Sequence, residues 1–528
     1  MPRHPPGGDG TGPRRPAHRA ASGLYPRTRL RLLLYRRQHR LTLGRKEYFI
    51  DLLFYHRFLK ALVVFELKVG PFEPEYAGKM DFYLNLLNDK ERGPDDQPSI
   101  GVILCAENDD IEVEYALRTK ANPIGVATYE LQPRLTARKE DDPMNIGVPK
   151  ESCPDEERVA LVPSAAAQLI KSGHKVLVEA GAGRSAGYPD RDYGAAGALI
   201  VTQRKDLFER ADFLFMVRGP GATPDCSMDD LRWMRPGQGL IAFLNPLMSH
   251  DAARALAATG VTALALELIP RISRAQSMDA LSSMASLAGY KGVLLAANSL
   301  PKIFPLMMTA AGSLMPAKVF VIGAGVTGLQ ACATAKRMGA LVSAYDIRPA
   351  VKEQVQSVGA QFVEFALPVT EAEDRRGYAR AQSDEFYRRQ REEMGKILAD
   401  SDVVMATAGV PGKKAPVLIT EDMVKGMPPR SVIVDLMADL GGNCALTEPG
   451  RTVVKYGVTL IGPTNLPSSV AYHASQMLAR NITALFDHIT DMDGRLSLHM
   501  KEEITVNTLL CRDGEIVNER VRELLDSS

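Results

Sequence analysis

Three groups of residues in this sequence have the types and spacing to do chemistry. The first is Gly323-Ala324-Gly325-Val326-Thr327-Gly328, a G-x-G-x-x-G run that follows the apolar run AKVFVI and opens an Ala-rich helical pattern. Each glycine has its own physical task. Gly323 permits a tight turn, Gly325 lets the backbone approach a pyrophosphate, and Gly328 lets the helix pack close to the sheet. The start of the helix offers unpaired N–H groups and the positive end of a dipole to phosphate. Asp346 ends the next apolar run, 18 residues after Gly328, where a carboxylate can accept from both hydroxyls of a ribose. Ile347 and Arg348 follow it, and Gly409 closes a further apolar run, SDVVMATAG. A glycine turn without a ligand is the plainer alternative; strand, helix and acid in one register argue against it.

Charge sets a preference here. A carboxylate at Asp346 repels a 2′-phosphate, which favours NAD(H) over NADP(H). Arg348 argues the reverse and is given less weight, because the acid at the strand end is the nearer group. The second group is Arg271, Gln276, Asp279 and Ser282, between the apolar run VTALALELI and a helical pattern. Ligands sit outside the carboxyl ends of parallel strands, and this cluster falls there. Helix capping by Ser277 and Asp279 is the alternative, and leaves Arg271 and Gln276 unaccounted for. The third group is Asp51 with Glu66-x-Lys68. Asp51 is placed at one strand end, and alternation along the next strand points Glu66 and Lys68 to one face. Two such carboxylates can hold Mg2+, and the lysine can help activate a water.

The elements that must position these groups follow from apolar patterning. From Met144 onward, short apolar runs alternate with helical patterns, as parallel sheets covered by helices require. HKVLVEAG, ADFLFMV and VTALALELI read as buried strands, as do AKVFVIGAG, ALVSAYD, SDVVMATAG, SVIVDLM and VTLIG. The fold class is therefore α/β: two doubly wound, Rossmann-like domains with a long helical stretch at about 278–312 between them. A smaller αβ segment precedes them. The expected division is a basic, disordered leader (1–34), the αβ segment (35–131), a linker (132–143), a first domain (144–280 with 465–528) and a dinucleotide domain (281–464).

Composition bounds the rest. The chain has 528 residues and a formal net charge of +1, so it shows no bulk bias toward nucleic acid or membrane. The charge is uneven: residues 1–46 hold twelve Lys/Arg against one acid, Asp9. Six scattered cysteines without C-x-x-C spacing read as reduced thiols in the cytosol. No uninterrupted apolar window reaches membrane-spanning length. The nearest, 287–325, is broken by Lys291, Asn298, Pro301, Lys302 and Pro305. A membrane function would need its span on another chain.

With these motifs in place the chain resembles a known family. RISRAQSMDALSSMASLAGYKGVLLAA, the glycine fingerprint, VPGKKAPVLIT and VDLMADLGGNC look like domain I of proton-translocating NAD(P)+ transhydrogenase, of the alanine dehydrogenase/transhydrogenase family. The resemblance implies bound NAD(H), NADP(H) on a separate domain III, and protons carried by a membrane domain II. Hydride would pass directly between two nicotinamide rings, which needs proximity and exclusion of water rather than an acid, base or metal. By resemblance, Arg271 and Asp279 orient the nicotinamide end, Gln276 reaches toward the partner's nucleotide, and Tyr378 sits on a mobile loop that closes over NAD(H). A surface tyrosine is the alternative for Tyr378. Asp435 reads as structural. The same resemblance implies a homodimer, partner domains on separate chains, and a cytoplasmic place at the inner membrane through those partners.

Alanine dehydrogenase, the sister enzyme, uses a lysine and a histidine where this chain has Arg218 and Asn245. Asparagine cannot carry a proton at neutral pH, so amino-acid oxidation is the runner-up reading. Arg158 matches both branches. Residues 35–131 resemble the C-terminal part of a PD-(D/E)xK nuclease-like domain, which implies metal-dependent cleavage by Asp51, Glu66 and Lys68. A truncated nuclease joined to a separate reading frame starting at MNIGVPKE is the simplest account of the junction.

Overall fold

The computed structural model describes residues 32–128 and 144–526, apart from 44–45, 57–58, 69–71, 94–95, 106–109, 121, 366–383, 411 and 492–494. The expected leader, the linker and Tyr378 lie outside the described residues or nearly so: residue 144 opens the second part, and 32–34 open the first strand. Two compact units result, residues 1–141 and 142–528.

The first unit is a five-stranded sheet in the order β1-β2-β3-β4-β5. Its strands are β1 (Leu32–Leu43), β2 (Lys46–His56), β3 (Ala61–Leu67), β4 (Ile100–Cys105) and β5 (Ile124–Thr128). β1, β2 and β3 pair antiparallel, while β3, β4 and β5 pair parallel. The parallel steps need crossovers, supplied by α1 (Pro74–Lys90) and α2 (Asp110–Leu117). Pro74 starts α1, where its missing N–H would be unpaired anyway. Met80, Leu84 and Leu87, at helical spacing, bury against Ile50, Val64 and Ile103 of the sheet.

The second unit holds two sheets of the same winding. The first contains β6 (Asn145–Val148), β7 (Lys175–Glu179), β8 (Leu199–Val201), β9 (Phe213–Arg218), β10 (Gly239–Phe243) and β11 (Thr262–Ala265). They run parallel in the order β8-β7-β6-β9-β10-β11. Past a two-stranded hairpin, β12 (Met307–Thr309) and β13 (Gly312–Leu314), the pattern repeats. The second sheet contains β14 (Lys318–Ile322), β15 (Leu341–Tyr345), β16 (Gln361–Phe362), β17 (Val403–Ala406), β18 (Val432–Asp435), β19 (Arg451–Lys455) and β20 (Val458–Gly462). Its order is β16-β15-β14-β17-β18-β20-β19. Each sheet thus has one point where the winding reverses, between β6 and β9 and between β14 and β17. The α/β, doubly wound class read from the sequence is what the chain adopts. Its edges differ: β19 is antiparallel, and β21 (Leu509–Arg512) and β22 (Glu515–Ile516) extend the first sheet antiparallel beside β11.

Three helices matter for the site: α3 (Ala280–Ser299), α4 (Val326–Arg337) and α5 (Ala471–His488). Along α5 the chain returns from the second sheet to the first. Phe486 of α5 lies edge-on to Phe213 and Phe215 of β9, 5.2 Å between centroids in each case. Such a cluster contributes about 0.5–1.5 kcal/mol per pair beyond its buried area.

Three expectations are corrected. The helical stretch does not run from 278 to 312: it ends at Ser299, because Pro301 and Pro305 cannot continue it, and a hairpin follows. Gly312 turns that hairpin at φ 117°. VTALALELI gives only the strand Thr262–Ala265 and then a 3₁₀ turn at Leu266–Leu268. Two thiols are oxidised: Cys153 and Cys226, 73 residues apart, form a disulfide with Cα atoms 4.5 Å apart. The loops after β6 and β9 leave neighbouring strands at one sheet end, a proximity that sequence spacing hides. The expectation of no uninterrupted membrane-length window is not touched by α3, which among the described residues is long and apolar enough to cross a membrane by length and composition alone, with a mean hydropathy of 1.2. An uninterrupted-run criterion overlooks it because of Lys291. Here α3 packs in the second unit, with Gly289 against the Thr327 carbonyl of α4 and Gly292 against Met405 and Leu436.

Candidate functional site

The glycine turn sits where the second sheet reverses, at the C-terminal end of β14. Gly323 has φ 91°, a conformation other residues rarely adopt. A Cβ on Gly328 would lie 1.8 Å from the Gly323 carbonyl oxygen, so only glycine lets α4 start this close to the strand. Among the described residues, a Cβ on Gly325 would meet one atom within 4 Å, Nη2 of Arg348 at 4.0 Å. That face of the turn is open, as approach of a pyrophosphate requires. Val326 is the first residue of α4, so its N–H and those after it point from the helix start.

Asp346 stands just past β15 and is joined to the turn. Its Oδ2 accepts from the Ala324 N–H at 2.7 Å. Arg348 binds the same carboxylate through its backbone N–H (2.9 Å), Nε (2.9 Å) and Nη2 (2.9 Å). Ile347, between them, is half-buried. Charge alone makes rivals of Asp346 and Arg348; the fold places them in one ion pair.

One residue that the motif does not contain, Thr407, holds the turn from the side, and a second, Asn443, holds the loop that carries Thr407. The Thr407 hydroxyl, after β17, donates to the Gly323 carbonyl at 2.7 Å. Asn443, fully buried, accepts from the Ala408 N–H at 2.9 Å and donates to the Ala408 and Pro416 carbonyls at 2.8 Å each. Gly409 follows, where a Cβ would strike the Met437 sulfur at 2.4 Å. The signal for Asn443 was present in GGN: Gly441 and Gly442 both have positive φ and turn the chain so that Asn443 points inward. Asp435 accepts from the Met437 and Cys444 N–H groups and the Thr447 hydroxyl, a structural role.

The 271–282 segment leads into α3. Asp279 caps that helix: its Oδ1 accepts from Ser282 N–H at 2.8 Å and its Oδ2 from the Ser282 hydroxyl at 2.6 Å. The capping alternative is therefore realised for Asp279, and Ser282 is its partner; Ser277 instead offers its carbonyl to Asn481 of α5 at 2.8 Å. Arg271 and Gln276 are exposed, on the loop before the cap. Tyr378 falls in 366–383, outside the described residues.

The first sheet's reversal point is built differently. Glu156, buried, binds Arg158 through Nε at 2.7 Å and Nη2 at 2.6 Å, and Arg218 through Nε at 2.9 Å. Those two guanidinium groups hold the Glu156 carboxyl down, to about 2, against the upward push of burial, the largest single influence on it. Glu151 accepts from the Val217 and Arg218 N–H groups, and burial lifts it to about 8. Glu267 accepts from Leu244 and Asn245 N–H groups and is also raised by burial. Asn465, at φ 48° where the chain returns from the second sheet, donates to Glu156 at 3.1 Å.

In the first unit the fold brings Asp51, Glu66 and Lys68 together, with one correction. Asp51 lies in the middle of β2 rather than at a strand end. Its Oδ2 accepts from the Leu67 N–H at 3.1 Å, across the point where regular β2–β3 pairing stops. Glu66 Oε2 binds Lys68 at 3.0 Å and faces Lys79 at 3.5 Å. Among the described residues Glu66 Oε1 is buried with no hydrogen-bond partner, an arrangement suited to a cation. Among the described residues no group of three or more His, Cys, Asp or Glu is gathered in this way.

Comparison with known proteins separates the two units. Residues 147–288 match the family model of the alanine dehydrogenase/PNT N-terminal domain, and residues 292–519 that of its C-terminal domain. Residues 32–142 match the YhcG PDDEXK nuclease domain. The chain is 44% identical to the first portion of NAD(P) transhydrogenase subunit alpha of Rhodospirillum rubrum over 377 residues, 71% of this chain and 98% of that polypeptide. The crystal structure of transhydrogenase from Sinorhizobium meliloti superposes with a TM-score of 0.62 at 39% identity, covering 71% of this chain and all of that one. Alanine dehydrogenase of Bacillus subtilis is more distant, 31% identical over 64% of this chain and 84% of its own. With the glycine turn, the strand-tip acid and both matched domains in one unit, the chain belongs to the alanine dehydrogenase/PNT family, among the NAD(P) transhydrogenase alpha subunits.

Proposed function

We propose that residues 144–528 bind NAD(H) at the second sheet's reversal point and pass its hydride to NADP+ held by a partner chain. The observation that carries this reading is the open face at Gly325 beside the start of α4, with Asp346 bonded to the same turn. Gly323, Ala324, Gly325, Val326 and Gly328 would face the pyrophosphate, with Asp346, Ile347 and Arg348 at the adenine ribose and Gly409 further along. Arg271, Asp279 and Ser282 would line the nicotinamide end. Gln276 would reach the partner's nucleotide, and Tyr378 would close over the site.

NADH supplies the chemistry: the hydride leaves C4 of its ring for C4 of NADP+, and no proton moves in that step. The protein's part is orientation and exclusion of water, which can supply roughly 7–11 kcal/mol of a barrier. Proton passage belongs to membrane domain II and NADP(H) to domain III, both on separate chains, which would place this subunit on the cytoplasmic side of the inner membrane. A homodimer is part of the proposal. The β12–β13 hairpin exposes Met307, Met308, Leu314 and Met315, an apolar surface that a second copy could cover.

Calorimetric titration of the full chain with NADH tests the reading. Saturable binding, weakened at least tenfold by Asp346→Ala, is expected, that being the scale of a lost charged hydrogen bond; no uptake would refute it. Alanine oxidation is not expected, because Asn245 carries no titratable proton and Arg158 and Arg218 are already paired to Glu156. A second reading concerns the first unit. The unpartnered Glu66 Oε1 favours Mg2+ held between Asp51 and Glu66, with Lys68 beside it. Thermal stabilisation by Mg2+ that disappears in Glu66→Gln is the expected result.

A further inference from the structure

A carboxylate has about four acceptor positions. At Asp346 four donors already occupy them: the Ala324 N–H, the Arg348 N–H, and Nε and Nη2 of Arg348. A ribose that arrives with two hydroxyls to donate finds its acceptor taken. The backbone donors are fixed by the turn and by the chain after β15. The guanidinium is the part that can leave, by rotation about its own side-chain bonds. Its side chain, 15% exposed, reaches the solvent edge of the site. It would also remain near the nucleotide, since Nη2 is, among the described residues, the one atom within 4 Å of a Cβ built on Gly325.

We propose that Arg348 sets the nucleotide preference of this site, as a resident cation that a ribose must displace from Asp346. This rests on the reading that the turn binds NAD(H). Two effects follow. For NADH, displacement subtracts from binding, since an ion pair is opened for each ribose bound. For a dinucleotide with a 2′-phosphate, the displaced guanidinium becomes a partner for that phosphate and offsets the repulsion from Asp346. Discrimination against NADP(H) is then smaller than a strand-tip acid alone would give, and Arg348 is what narrows it.

The test is calorimetric titration of the full chain with NADH and with NADPH, for wild type, Arg348→Ala, Arg348→Lys and Asp346→Ala. In Arg348→Ala the ratio of NADPH to NADH dissociation constants is expected to rise by roughly tenfold or more, the scale of one charge-assisted contact. Asp346→Ala should move the ratio the other way. Arg348→Lys keeps the charge without the two-pronged geometry and should fall between wild type and Arg348→Ala. Equal weakening of both nucleotides in Arg348→Ala would mean the arginine only braces the loop, and would overturn the proposal, as would an unchanged ratio. Failure of the wild type to bind NADH at all would instead remove the function on which the proposal rests.

Discussion

The second unit contains the same winding twice, and the two reversal points have opposite chemistry. Between β6 and β9, the loops are filled with carboxylates and arginines that satisfy one another: Glu156 with Arg158 and Arg218, and Glu151 with backbone N–H groups. Between β14 and β17, the loop after β14 is a glycine turn, and among the described residues a Cβ on Gly325 would meet only Arg348 Nη2, at 4.0 Å. Topology supplies a crevice in both places. The two differ in what fills them: buried carboxylates and two arginines at the first, a glycine turn with one Asp346–Arg348 pair beside it at the second. One sheet ties off its crevice and the other leaves it open.

The largest expected effect breaks the open crevice. Gly325→Val should lower NADH affinity by about a hundredfold or more, because a branched side chain would stand where phosphate must approach. It should leave the melting temperature nearly unchanged, since its Cβ has room. Gly328→Ala separates fold from function in the opposite sense. Its Cβ would meet backbone at 1.8 Å, so it should destabilise the second sheet, by about 3 kcal/mol or more, in a denaturant titration.

The next effect opens the closed crevice. Glu156→Ala leaves two mostly buried guanidinium groups without the carboxylate that both bind, and about 3–5 kcal/mol of stability should go with it. Acid should act on the same group. The folded carboxyl titrates at about 2 against an ordinary 4.5. Its stabilisation is therefore complete above pH 4.5 and is lost as pH falls toward 2. A wild-type unfolding midpoint that drops through this window, and a flatter profile in Glu156→Gln, would bear this out.

The last effect concerns Glu151, which has the reverse sign. Raised to about 8 from 4.5, it favours the folded state most below pH 4.5, and that contribution fades as pH rises through 8. Glu151→Gln should remove this alkaline loss, so the variant's midpoint between pH 6 and 8 should be flatter than that of the wild type. An unchanged slope would mean that Val217 and Arg218 N–H bonds hold the carboxylate charged.

What is legible in the sequence is local. The strand–turn–helix around Gly323 and the acid at Asp346 lie within one 30-residue stretch, and patterning alone places them in register. Contacts between distant segments are hidden. Nothing near Gly323 announces that Thr407 will brace its turn, or that Asn443 will hold the loop behind Thr407. Nothing in the spacing of Cys153 and Cys226 announces a bridge between neighbouring strands' loops. The hairpin after α3 is hidden for another reason: MMTAAGSLM has helix-forming residues, and Pro301, Pro305 and Gly312 decide against them. Asp346 and Arg348 both stand out in the sequence, but only the fold turns two rivals into a pair.

The central claim is that this chain presents a reduced nicotinamide to a second nucleotide on another protein. It is tested most directly by mixing the full chain with an NADP+-binding transhydrogenase partner subunit and NADH carrying deuterium at C4. The account predicts that deuterium appears on C4 of the NADPH formed, with none exchanged to solvent, and that Gly325→Val abolishes the transfer. Label lost to water, or no transfer from a well-folded mixture, would contradict it.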